Sequence, residues 1–108
     1  MPSKSKAKGN RFERLCVDIA KESNIKAVRA WGSDGRSLGE HSEVDVMLGK
    51  YKAQCKTRRR IAKWLKPNTN VDFQLVKEDR GQIYAILTYE SLLRLLSKET
   101  HDTSPKTT

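Results

Sequence analysis

The stretch from Glu43 to Lys56 carries the residue types from which a hard-cation site is built. Two runs that alternate with period two flank Gly49-Lys50, and glycine at the first turn position suits a type II′ turn, so the stretch reads as a β-hairpin. That register sets Asp45 opposite Gln54 and Glu43 opposite Lys56. These four residues then share one face, while Val44, Val46, Leu48, Tyr51, Ala53 and Cys55 share the other. Facing residues have Cβ atoms ~4.5–5.5 Å apart, so the Asp45 carboxylate and the Gln54 amide oxygen can ligate one cation. Mg²⁺ takes oxygen ligands and is commonly held by one or two carboxylates with substrate phosphate. Lys56, two residues beyond Gln54, can reach a metal-bound water or the phosphate. The same face also reads as solvated surface with a Glu43–Lys56 ion pair worth roughly a few tenths of a kcal/mol.

Several elements must position this hairpin. Phe12, Leu15, Cys16, Ile19 and Ala20 recur at helical spacing within 10–23, the stripe of an amphipathic helix. Glu13 lies at the edge of that stripe, where it can lean toward a sheet; as the residue three after Asn10 it also fits a capping box. A short strand over 25–31 runs into a Gly- and Ser-rich loop, 32–39. A basic helix is expected over 58–66, ended by Pro67, and strands over 71–77 and 82–88 form a second hairpin around Glu78-Asp79-Arg80-Gly81. A leucine-rich helix over 89–98 completes the order αβββαββα, an α/β arrangement of a mixed central sheet flanked by helices.

The chain has 108 residues and a formal net charge of +9, with 32% charged and 36% hydrophobic residues. One small domain over 9–98 is expected, with a flexible basic arm over 1–8 and a flexible tail over 99–108. No apolar run approaches the ~20 residues that span a bilayer, and the N-terminus carries no signal-peptide pattern. A soluble, cytoplasmic protein without a membrane partner is the expectation. Cys16 and Cys55 form no CxxC or Cys/His cluster, which argues against a zinc module or disulfide scaffold; both read as small buried hydrophobes. The charge points to a polyanionic partner, most commonly nucleic acid.

Asp45 and Gln54-Cys55-Lys56, with Glu13 on an upstream helix, resemble the PD-(D/E)xK nuclease pattern. The similarity is nearest to archaeal-type Holliday-junction resolvases, some of which viruses encode. Lys8-Gly9-Asn10-Arg11-Phe12-Glu13-Arg14 is similar to that family's opening helix, and Val28-Arg29-Ala30-Trp31-Gly32-Ser33-Asp34-Gly35 to its arginine-bearing strand and Gly-Ser loop. The similarity covers residues 8–57. It implies a restriction-endonuclease-like core and a Mg²⁺-dependent endonuclease, with Mn²⁺ able to substitute. It further implies a homodimer that resolves four-way DNA junctions by paired nicks in recombination and repair, associated with the nucleoid or working in a virus-infected cell.

Carried over by the resemblance, Glu13, Asp45 and Gln54 correspond to the metal site, Lys56 to the catalytic lysine and Ser33 to the loop serine near the scissile phosphate. The Cys55 carbonyl is a further candidate ligand. Arg14 and Arg29 match basic positions near the substrate, and Lys8, Arg11, Arg36, Arg58, Arg59, Arg60 and Lys63 complete the expected DNA contacts. Gln54 stands where the family has glutamate, removing one negative charge, and Glu43 or Glu40 are the residues that could restore it. Two alternatives stay open: a superfamily nuclease acting on flaps, mismatches or duplex, and a catalytically silent DNA-binding protein.

Overall fold

The computed structural model describes residues 4–30 and 34–101. It has two helices and two antiparallel sheets in one α/β chain. The elements are α1 (Lys4–Glu22), β1 (Ala27–Arg29), β2 (Val46–Leu48), β3 (Tyr51–Ala53), β4 (Phe73–Lys77), β5 (Ile83–Leu87) and α2 (Tyr89–His101), with 3-10 turns at Gly35–Leu38 and Lys63–Leu65. The chain divides into two compact units, Met1–Arg58 and Arg59–Thr108, where the sequence predicts one domain over 9–98.

In the first unit β2 is the central strand, paired antiparallel to β1 and β3. Leu48↔Tyr51, Met47↔Lys52 and Val46↔Ala53 face one another, the register that the Gly49-Lys50 turn dictates. Gly49 has φ +62° and Lys50 is not in the left-handed region, as a type II′ turn requires. Helix α1 packs across β1 and β2. Its buried residues Cys16, Val17 and Ala20 meet a core of Ile25, Ala27, Ala30, Val44, Val46 and Leu48. Each fully buried aliphatic side chain contributes about 1.5–3 kcal/mol.

The helix sits differently from its sequence stripe. The buried line is Glu13, Cys16, Val17 and Ala20, while Leu15 is exposed. This is a rotation of ~80° from the expected face. The short sheet is covered by small side chains on that line, and Glu13 comes into the interface instead of standing at its edge. The helix also starts at Lys4, so Lys4, Lys6 and Lys8 belong to its first turns, and Asn10 is mid-helix, too late to cap it.

The second unit pairs β4 with β5, Phe73 opposite Leu87 and Lys77 opposite Ile83, around a turn in which Arg80 adopts φ 59°. In α2, Leu93 is buried and Thr88 Oγ1 accepts from Ser91 N–H at 3.2 Å, an N-terminal cap.

Two features of the expected order αβββαββα are corrected. The stretch 58–66 is no α-helix: it is irregular apart from the single 3-10 turn. Three successive arginines repel one another, the segment is below the ~12 residues a helix needs to sustain itself, and its apolar Ile61 and Trp64 are 52% and 60% exposed, so no packing repays nucleation. The strands form two antiparallel sheets in place of one mixed sheet, every described pairing being antiparallel.

The loop between β1 and β2 is closed around Gly35. A Cβ there would stand 2.1 Å from the His41 carbonyl oxygen and 2.8 Å from Val44 Cβ, so backbone would have to move. Gly35→Ala is expected to cost about 3 kcal/mol by overpacking. Gly39 has φ +76° with open space around it, and Gly39→Asn should stay within ~0.5 kcal/mol because asparagine tolerates this conformation. Urea unfolding midpoints at unchanged slope measure both; equal costs would contradict the close approach at Gly35.

Candidate active site

Asp45 immediately precedes β2, and three hydrogen bonds hold it from different directions. Its N–H donates to the Ala53 carbonyl at 2.9 Å, its carbonyl accepts from Ala30 N–H at 2.8 Å, and its Oδ2 accepts from Cys55 N–H at 2.7 Å. The pairs that form keep the expected register, and the last bond marks where they stop. Pairing ends at Val46↔Ala53, and beyond it the Cys55 N–H goes to a side chain, so the ladder does not reach Asp45 opposite Gln54 or Glu43 opposite Lys56. Gln54 is exposed just past the end of β3.

Glu13 and Asp45 are the two buried charged residues among those described, 4% and 9% exposed. They arrive from α1 and the start of β2, and both push electrostatically on one group, the Cys55 thiol. Arg29, at the end of β1, stands beside this pair: its Nη1 lies 3.9 Å from Glu13 Oε1. That distance is an ion-pair contact and too long for a hydrogen bond. Arg29 Nη1 is itself buried and has no hydrogen-bond partner among the described residues. A buried guanidinium nitrogen without an acceptor is rare in a folded protein.

The outer acidic candidates are occupied elsewhere. Glu40 Oε2 pairs with Lys52 Nζ at 3.0 Å, and Glu43 is exposed with its N–H donating to His41 Nδ1 at 3.1 Å. Neither replaces the charge missing at Gln54. Arg36, expected to meet DNA, is held by both oxygens of Asp34, and this bond lowers the Asp34 pKa. Ser33 lies outside the described residues.

Lys56 lines a cleft of about 470 Å³ with Lys8, Gly9, Cys55, Thr57 and Arg58. Three of the basic residues expected at the substrate thus come together, Lys8 from α1 and Lys56 and Arg58 from the strand exit. Arg11 and Arg14 are exposed on α1. Arg59, Arg60 and Lys63 are exposed in the second unit.

The donor chemistry fits a hard dication in part. Glu13 has the Arg29 guanidinium at ion-pair distance and Asp45 Oδ2 takes the Cys55 N–H, so one cationic side chain stands by two buried carboxylates and a cation could balance the remainder. The fit is thinner than the expected four ligands. No group of three or more His, Cys, Asp and Glu side chains among the described residues is arranged to hold a metal ion, and Gln54 adds an amide only by leaving its exposed position.

No family model, curated protein or solved structure matches the chain. The functional reading therefore rests on these residues. No helix among the described residues is long and apolar enough to cross a membrane.

Cys16 is buried and Cys55 half-buried, in line with the small hydrophobes expected, and their thiols meet at this site. Burial pushes the Cys55 thiol up to about 12, helped by Cys16 and by the charges of Asp45 and Glu13; burial raises Cys16 as well. Because the folded pKa lies above the ordinary value of 9.0, the folded state holds the proton longer than the unfolded chain. The resulting stability is whole below pH ~9 and is lost as pH rises toward ~12. Folding stability is expected to fall with pH across that window and to fall less steeply in Cys55→Ala. An identical slope in wild type and variant, measured by urea titrations, would contradict the assignment.

Proposed function

We propose that the chain is a metal-dependent, structure-selective endodeoxyribonuclease that resolves four-way DNA junctions as a symmetric homodimer, built on a restriction-endonuclease-like core. The observation that carries this reading is the buried pair Glu13 and Asp45 beside Arg29, whose buried Nη1 lacks an acceptor. Glu13 and Asp45 would hold Mg²⁺, with Gln54 and the Cys55 carbonyl as further oxygen donors. When bound, the ion supplies Lewis-acid polarisation of the phosphate and a more acidic water.

The chain's own residues do the remaining work. Lys8, Lys56 and Arg58 draw the phosphodiester backbone into the cleft, where contacts to phosphate position without reading sequence. Arg29, whose side chain is 26% exposed, would turn its guanidinium toward a phosphate oxygen and balance the charge that develops there. Lys56 orients the attacking water or takes its proton. One such site cuts one strand, so two copies related by a two-fold axis supply the paired nicks.

A catalytically silent DNA-binding protein is the second reading, favoured by the exposed position of Gln54 and the shortened ladder. A labelled four-way junction and its matching duplex, incubated with Mg²⁺ or EDTA, separate the two. Paired symmetric cuts confined to the junction, abolished by EDTA, are expected. Asp45→Asn keeps an oxygen for Cys55 N–H and should drop cutting by about 10²-fold or more while sparing binding. Binding without Mg²⁺-dependent cutting would establish the silent reading, and cutting of plain duplex would move the protein to another nuclease class. Gln54→Glu is expected to raise the cutting rate by restoring the missing carboxylate; an unchanged rate would place residue 54 outside the metal site.

A further inference from the structure

The second unit carries a cleft that none of the expected DNA contacts uses. It has a volume of about 290 Å³ and lies between the start of β4 and one face of α2, lined by Asp72, Phe73, Ser91, Arg94, Leu95 and Lys98. Its walls differ in chemistry. Phe73 is 48% exposed and Leu95 55%, giving an apolar floor with an aromatic ring open to solvent. Ser91, Arg94, Leu95 and Lys98 stand at i, i+3, i+4 and i+7, so they share one face of α2 and set two cations one turn apart along the rim. Ser91 Oγ accepts from Arg94 Nη2 at 3.4 Å, a long bond that leans the guanidinium along the helix. Asp72 holds the opposite rim.

We propose that this cleft is a subsite for an unpaired nucleotide of a DNA strand, its base stacked on Phe73 and its phosphate held by Arg94 and Lys98. The proposal rests on the nucleic-acid reading above and extends it to the second unit. An aromatic face beside a pair of cations is the combination that binds single strands without reading sequence, because every base offers a π face and every nucleotide one negative charge. Charge gives the polarity: the Asp72 carboxylate repels phosphate, so the backbone follows the helix rim and the base lies over the floor. An apolar peptide would use Phe73 and Leu95 but leave both cations without partners.

The test uses the full chain in EDTA, so that it needs no cleavage, with a short oligonucleotide carrying 2-aminopurine as the probe. Wild type is expected to quench the probe through stacking. Phe73→Ala should weaken binding roughly 5- to 150-fold, the range of one base–aromatic contact, and Phe73→Trp should restore it. Arg94→Gln with Lys98→Gln should lower the slope of log affinity against log salt by about 0.7, the single phosphate that the two cations hold. Far-ultraviolet circular dichroism shows whether each variant keeps its fold; Phe73→Leu serves as the aromatic deletion if alanine does not. Unchanged quenching and salt slope in the folded variants would overturn the proposal. So would a monomer–dimer equilibrium, measured by sedimentation, that shifts in Phe73→Leu while oligonucleotide affinity stays put, because the floor would then be a face between copies. Failure here leaves junction cutting by the first unit untouched, and absence of cutting leaves this binding test intact.

Discussion

The hydrogen bond from Cys55 N–H to Asp45 Oδ2 decides most of what surrounds it. It takes the backbone donor that would otherwise extend the β2–β3 ladder, so the chain leaves the sheet after Ala53 and carries Lys56, Thr57 and Arg58 into the basic cleft. It also fixes a carboxylate inside the first unit. Taking an ion of this kind out of water costs several kcal/mol, and one hydrogen bond to a charged acceptor returns about 1.5–3 kcal/mol. Glu13 is under the same constraint, with Arg29 as its ion-pair partner. Two carboxylates with one guanidinium nearby leave a local imbalance in a chain that is basic nearly everywhere else, which the proposed cation would relieve.

What the sequence made legible follows from local rules. Glycine at 49 and strict alternation on either side of it set the hairpin turn and the pairing from Val46 to Ala53, because both depend on neighbours in the chain. The two carboxylates were also readable, since charged residues interleaved with apolar ones stand out. What was not readable depended on tertiary contacts. The rotation of α1 came from the small side chains the short sheet can accept, which favoured the line through Glu13 and Ala20 over the bulkier Leu15. The end of the ladder came from a side chain competing with a strand. The helix expected over 58–66 had an adequate pattern but no surface to pack on, and periodicity without burial does not hold a short helix. The cleft on α2 was hidden because Arg94 and Lys98 sit among leucines that draw attention to the core; Ser91, Arg94 and Lys98 at helical spacing were the available signal.

Positive and negative charge play separate parts in this protein. Lys8, Lys56 and Arg58 face a cleft and attract phosphate over a distance set by ionic strength. Glu13 and Asp45 are withdrawn from solvent and act only at contact range. Arg29 stands beside the buried set, its Nη1 at ion-pair distance from Glu13 and without a hydrogen-bond acceptor among the described residues. On the proposed reading, the net charge of +9 would serve to draw a phosphate in, and the buried acidic pair would serve the chemistry there.

The central claim is that Glu13 and Asp45 make one dication site. Its most direct test is a Mn²⁺ titration followed by the electron paramagnetic resonance signal of the free ion, in wild type, Glu13→Gln and Asp45→Asn. A bound ion is expected in wild type and is lost or greatly weakened in each variant; equal Mn²⁺ binding by all three, or none by the wild type, would contradict a shared site.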